Sequence, residues 1–172
     1  MMENNITLKY ELKFYDYWHL SSGLSAGAKL DSSVTKDNDS LPYAPGKTLK
    51  GLVREMIEED THDIEFLHKC YFTNASLKDS TKKQIIENTL QDNLYDLIAS
   101  TKIGENGIAV DNSLREIEVV VPLRLYGEIL DIPSEDDIKK LKKALKNIKR
   151  MGLNRNRGLG RCEFCFESKE CK

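Results

Sequence analysis

The stretch Ile6-Thr-Leu-Lys-Tyr-Glu-Leu-Lys-Phe14 alternates apolar with polar residues from end to end. That is the period of a strand with one face on a core and the other in water. Working outward, Tyr17 to Pro45 is rich in Ser, Gly, Asp and Asn and lacks periodicity, and an ordered domain rarely carries so long a loop without using it. Pro45 and Gly46 close that loop. Thr48 is placed to cap a helix from Leu49 to Glu59, with Leu52, Val53, Met56 and Ile57 as its apolar stripe. Tyr71 to Leu77 reads as a short strand. Lys82 to Ser100 reads as an amphipathic helix carrying Ile85, Ile86, Leu90, Leu94, Leu97 and Ile98.

Thr101 to Leu114, with Gly104, Asn106, Gly107, Asp111 and Asn112, has the composition of an exposed hairpin or projecting loop. Arg115 to Val121 and Leu123 to Ile129 read as strands interrupted at Pro122. Ser134 then caps a helix with Glu135, Asp136 and Asp137 in its first turn and lysines in its last. Arg161 to Glu167 is the final strand. Strand, helix, strand therefore recurs in both halves, which suits an α+β, ferredoxin-like domain of the split βαβ type. One such domain spans residues 1–172, since 172 residues build one ordinary core.

Composition bounds the function. With 26 Lys and Arg against 28 Asp and Glu, the formal net charge is −2, so any site for a polyanion must be local. No apolar run approaches the ~20 residues of a membrane helix, and Met1 to Leu12 lacks a signal-peptide stretch. The expected location is the cytoplasm, where Cys70, Cys162, Cys165 and Cys171 would not form a disulfide framework. Cys162 and Cys165 have C-x-x-C spacing without a second pair to complete a zinc site, and they alternate as a half-buried strand would. Zinc is not expected.

Positive charge is concentrated from Lys139 to Arg161, where ten lysines and arginines occur without one acidic residue. Lysines on a helix often do no more than stay solvated. The argument for a ligand is sharper at Gly152-Leu-Asn-Arg-Asn-Arg-Gly-Leu-Gly160. There Gly152, Gly158 and Gly160 let backbone approach a ligand, and Arg155 and Arg157 offer bidentate contacts to phosphate. A dinucleotide fingerprint would follow a strand and open a helix; this loop follows a helix and precedes a strand.

The second glycine segment, Pro42 to Gly51, contains Gly46-Lys47-Thr48, but a P-loop needs glycine where Leu41 stands. Nucleotide binding is not expected. What remains is a helix N-terminus with Lys47, Lys50 and Arg54 nearby, an anion site that would face the same phosphate chain as the first loop. His19 and Asp31 lie in the long loop. Asp31 is a weak candidate from spacing alone, because loop aspartates usually cap or turn the backbone.

Taken together, these segments resemble a known family. Leu41-Pro-Tyr-Ala-Pro-Gly-Lys-Thr-Leu-Lys-Gly-Leu-Val-Arg54 is similar to the Pro-Gly-Ser-Ser-Leu-Lys-Gly-x-x-Arg motif of the CRISPR-associated RAMP superfamily. Gly152 to Gly160 resembles that superfamily's C-terminal glycine-rich loop. Tyr71-Phe-Thr-Asn-Ala75 and Arg115 to Val120 resemble its short aromatic strand and the strand after its projecting thumb. Asp31-Ser-Ser-Val-Thr-Lys-Asp37 looks most like the backbone subunit of type III interference complexes.

That resemblance implies a ferredoxin-like palm with a thumb, copies arrayed along guide RNA beside other effector subunits, and complementary target RNA as substrate. It implies RNA contacts from His19, Lys47, Lys50, Arg54, Gly152, Arg155, Arg157, Gly158 and Gly160. Asp31 would be the catalytic residue and metal ligand, with magnesium or manganese as cofactor, for attack of a target 2′-hydroxyl on its adjacent phosphate. Ile103 or Ile108 of the thumb would be the wedge that displaces a base. Lys47 replaces the motif's usual serine, Ser33 replaces a proline, and the chain is short for a backbone subunit. The alternatives are a non-catalytic structural subunit, a guide-processing endoribonuclease with a histidine base, and a protein-interaction domain that binds no RNA.

Overall fold

The computed structural model describes residues 6–21, 33–60, 63–110 and 113–166. The opening alternation forms strand β1, Ile6–Phe14, with Leu8, Tyr10, Leu12 and Phe14 buried. It is followed by helix α1, Gly46–Asp60, strand β2, Tyr71–Phe72, and helix α2, Asp79–Glu87. Strands β3, Tyr95–Ser100, and β4, Arg115–Val120, come next, then β5, Arg124–Ile132, helix α3, Glu135–Asn147, and β6, Cys162–Cys165.

β2, β5, β1 and β6 form one antiparallel sheet in that order, while β3 and β4 form a separate two-stranded ribbon. With the ribbon and α2 set aside as an insertion, the rest runs strand, helix, strand, strand, helix, strand. This is the expected ferredoxin-like α+β fold. α1 and α3 cover the sheet face that carries Leu12 and Ile129, and Leu49 and Val53 of α1 and Leu141 and Leu145 of α3 join the same core. Each of these fully buried aliphatic side chains contributes ~1.5–3 kcal/mol of hydrophobic stabilisation. The opposite face, with Lys9, Glu11 and Lys13, has no helix packed on it among the described residues.

The strand expected over Tyr71 to Leu77 is Tyr71–Phe72, those expected over Leu123 to Ile129 and Arg161 to Glu167 are Arg124–Ile132 and Cys162–Cys165, and two expected helices change their bounds. α1 begins at Gly46 rather than Leu49, because the Asn74 side chain accepts the Gly46 N–H at 2.9 Å; Thr48 therefore sits inside the helix. The helix expected over Lys82 to Ser100 ends at Glu87, and Tyr95–Ser100 is strand β3. Thr89 takes a left-handed φ of 53°, which a helix cannot continue through. Beyond it, Tyr95 to Ser100 pair residue for residue with Val120 to Arg115. Ser134 caps α3 as expected, accepting from Asp137 N at 3.2 Å.

Candidate nucleic-acid interface

Its neighbours fold the loop from Gly152 to Gly160. Arg150 and Arg161 bridge at its neck, and Met151 N donates to Gly160 O at 3.0 Å. Leu153 N donates to His19 O at 2.9 Å and Gly160 N to Tyr17 O at 2.8 Å, so the loop is seated on residues 17–20. A Cβ on Gly152 would lie 2.3 Å from His19 O, and one on Gly160 would lie 2.0 Å from Met151 O. Both approaches require glycine. Between left-handed Asn154 and Gly158, Arg155–Arg157 make one 3-10 turn. Arg155 and Arg157 are exposed, and neither side chain has an ion pair or hydrogen bond among the described residues. Two guanidinium groups on a rigid loop are thus free to take phosphate oxygens.

The seat of this loop is also the root of the β3–β4 ribbon. Trp18 and Val120 exchange backbone hydrogen bonds at 3.1 and 2.8 Å, and Trp18 Nε1 donates to Val121 O at 3.2 Å. His19 lies 2.6 Å from Glu118 O through Nδ1 and is fully buried. It cannot touch a strand of RNA directly, which corrects its expected role: His19 anchors the loop's seat to β4. The Glu118 carboxylate accepts Val34 N at 3.1 Å and pairs with Lys36 at 2.7 Å, while Ser21 bridges Val34. These contacts fix both described ends of the segment that carries Asp31. Asp31 itself, expected as catalytic residue and metal ligand, lies outside the described residues.

At the other motif, a Cβ on Gly46 would fall 2.0 Å from Phe72 O, so the start of α1 packs directly on β2. Lys50 Nζ donates to Cys70 O at 2.8 Å, and Arg54 pairs with Glu58 at 2.8 Å. Lys47 is exposed without a partner among the described residues. Of the three cations expected on RNA here, Lys47 is the one not already engaged. The two glycine segments are seated on different strands: Gly46 on β2 at one edge of the sheet, Gly152 to Gly160 on the continuation of β1 beside β6 at the other.

The lysines of α3 are less available than their run in the sequence implies. Lys139 pairs with Asp136 at 2.8 Å, Lys140 with Asp63 at 2.6 Å and Asp137 at 3.3 Å, and Lys143 with Asp60 at 2.6 Å. Lys142 and Lys146 lie over the Phe166 ring at 5.5 and 5.7 Å. The acidic partners come from the end of α1 and the residues after it as well as from α3's own first turn, so no run of lysines in sequence reveals them. The concentrated free charge lies on the loop, not on the helix.

The ribbon projects an apolar tip. Ile103 bridges Ala109, and Ile103 and Ile108 remain 59% and 71% exposed. Among the described residues no group of three or more His, Cys, Asp or Glu side chains could hold a metal ion, and no helix is long and apolar enough to cross a membrane. Cys162 is a buried thiol pushed up to about 12 by burial, and Cys165 is disulfide-bonded, contrary to the expectation for these cysteines.

Comparison with known proteins agrees with this geometry. The family model described as the RAMP superfamily matches residues 11–163. Among solved structures, a chain of a Type III-B Cmr-beta complex bound to cognate target RNA is similar, with a TM-score of 0.69 at 10% identity over 92% of this chain and 96% of that one. A chain from the apo state of Type III-B Cmr-beta is similar with a TM-score of 0.70 at 11% identity, over 95% of this chain and 98% of that one. No curated protein matches.

Proposed function

The chain belongs to the RAMP superfamily, and on that footing we propose that it is a backbone subunit of a type III CRISPR interference complex. In this reading it holds guide RNA through the glycine-rich loop and cleaves the paired target RNA. The observation that carries the proposal is the loop itself: two arginines unpartnered among the described residues, on a loop whose close approaches at Gly152 and Gly160 admit only glycine. Backbone phosphates suit such a site, because a guide-holding protein must leave base identity to Watson–Crick pairing. Lys47 adds a further cation at the start of α1. Ile103 and Ile108, exposed at the ribbon tip, are shaped to enter between bases as a wedge.

For cleavage, a target 2′-oxygen attacks the adjacent phosphorus as the bond from phosphorus to the 5′-oxygen breaks. The attacking hydroxyl gives up its proton and the leaving oxygen gains one, so the products are a cyclic phosphate and a free 5′-hydroxyl. Asp31 would orient the attacking hydroxyl. Asp31 would also be the residue to ligate magnesium or manganese. A guide-processing nuclease with a histidine base is disfavoured, because His19 is fully buried against Glu118.

The test is cleavage of a labelled target paired to guide RNA in the assembled complex, with magnesium or manganese, for wild type and Asp31→Ala. Regular cuts that vanish in Asp31→Ala while RNA binding persists are the expected result. Binding without cuts in either protein would make the chain a structural subunit.

A further inference from the structure

The sheet face opposite the helices has a constellation that the RNA-gripping loop does not use. Register places Glu11 of β1 beside Tyr126 of β5, and Lys9 beside Glu128. Between Lys9, Glu11, Thr73, Tyr126 and Glu128 lies a cavity of about 350 Å³, within the size range of small-ligand sites. The Tyr126 ring is held under Lys78 Nζ, 4.5 Å from its centroid. Glu11 pairs with Arg124, and Glu128 pairs with Lys9 at 3.3 Å. Both pairings use Oε1, which leaves Oε2 of each carboxylate as an acceptor without a partner among the described residues.

These features select a ligand class. Carboxylates already balanced by Arg124 and Lys9 gain little from a further cation, so a lysine or arginine side chain is a poor occupant. They can still accept hydrogen bonds from a neutral donor edge. An aromatic face beside acceptor oxygens is the arrangement that reads an unstacked nucleobase. Among the bases, guanine presents two adjacent donors, N1–H and N2–H, which one carboxylate can take on its open Oε2 and on the second lone pair of Oε1.

We propose that this cavity is a guanine site, with the base stacked on Tyr126 and its donor edge on Glu128 or Glu11. The guanine can come from a bound RNA strand or from a free nucleotide. The inference stands independently of the backbone-subunit reading.

Calorimetry with guanosine monophosphate tests it, with adenosine, cytidine and uridine monophosphates for comparison. Saturable binding that favours guanosine and weakens about tenfold in both Glu11→Gln/Glu128→Gln and Tyr126→Ala is expected. Lys143→Ala, whose charge is paired with Asp60 on the helical side, should bind guanosine monophosphate as wild type does, whereas Arg155→Ala/Arg157→Ala is scored on RNA binding alone. Glu128→Gln alone is nearly isosteric on a sheet surface, so it guards against a folding artefact in the other variants. In a second arm, an oligoribonucleotide with one guanine competes if the base comes from RNA and fails to compete if the site takes free nucleotides. No saturable binding, equal binding of all four nucleotides, or indifference to the carboxylate and tyrosine changes would overturn the proposal. Loss of RNA binding in the double arginine variant bears only on the loop.

Discussion

Gly160→Ala should cost far more than Gly158→Ala, although both glycines are left-handed, with φ of 70° and 97°. An alanine in that region pays ~1–2 kcal/mol at either position. At Gly158 nothing lies within 4 Å of the added methyl, so the cost stops there. At Gly160 the methyl would fall 2.0 Å from the carbonyl oxygen of Met151, and the neck of the loop must open. Opening it removes the hydrogen bonds from Met151 N to Gly160 O and from Gly160 N to Tyr17 O, at about 1 kcal/mol each. Gly160→Ala should therefore lose about 3–4 kcal/mol, and Gly158→Ala about 1–2 kcal/mol. Urea unfolding followed by fluorescence measures both directly, because Trp18 is the one tryptophan. It is buried and stacked on Phe14 at 4.4 Å, in the segment that seats the loop. Equal losses in the two variants would refute the argument that the loop is held by close backbone approach at Gly160.

Lys143→Ala should change stability by less than about 1 kcal/mol and leave RNA affinity intact, because its charge is spent on Asp60 at the surface; denaturant melts and filter binding check this. Exchanging both Ile103 and Ile108 for glycine should leave the melting temperature within a few degrees of wild type, since both are exposed, but should change the spacing of target cuts on a sequencing gel. Stability should fall as pH rises above about 9. Burial raises Cys70 to about 11 and Cys162 to about 12, so the unfolded chain loses thiol protons first and unfolding is favoured in that window. Cys162→Ala should flatten the alkaline limb of a pH series of urea midpoints.

The period-two alternation of β1 and the Ser134 cap of α3 were legible because each is decided locally, by side-chain spacing and by one hydroxyl. The glycine-rich loop was legible for the same reason: Gly152 and Gly160 mark positions where only hydrogen fits. β3 was misread because Leu90, Leu94, Leu97 and Ile98 recur at helical spacing, and only pairing with the distant Arg115–Val120 makes strand the better solution. Availability of charge was hidden by the same kind of distance. Nothing near Lys140 or Lys143 in sequence announces Asp63 and Asp60, and nothing near Lys50 announces the Cys70 carbonyl. Nothing near His19 in sequence announces the Glu118 carbonyl that holds it. Asn74, which starts α1 by accepting the Gly46 N–H, was likewise missed, since a cap from so far along the chain leaves no local signature.

The salt dependence of single-stranded RNA binding, compared between wild type and Arg155→Ala/Arg157→Ala, tests the central claim that the loop grips a phosphate backbone. Each lost phosphate contact should reduce the magnitude of the slope of log affinity against log salt by about 0.7. The double variant should therefore show a slope about 1.4 shallower, on RNA of any sequence, with its unfolding midpoint unchanged. An unchanged slope, or RNA binding that never depended on salt, would contradict the account.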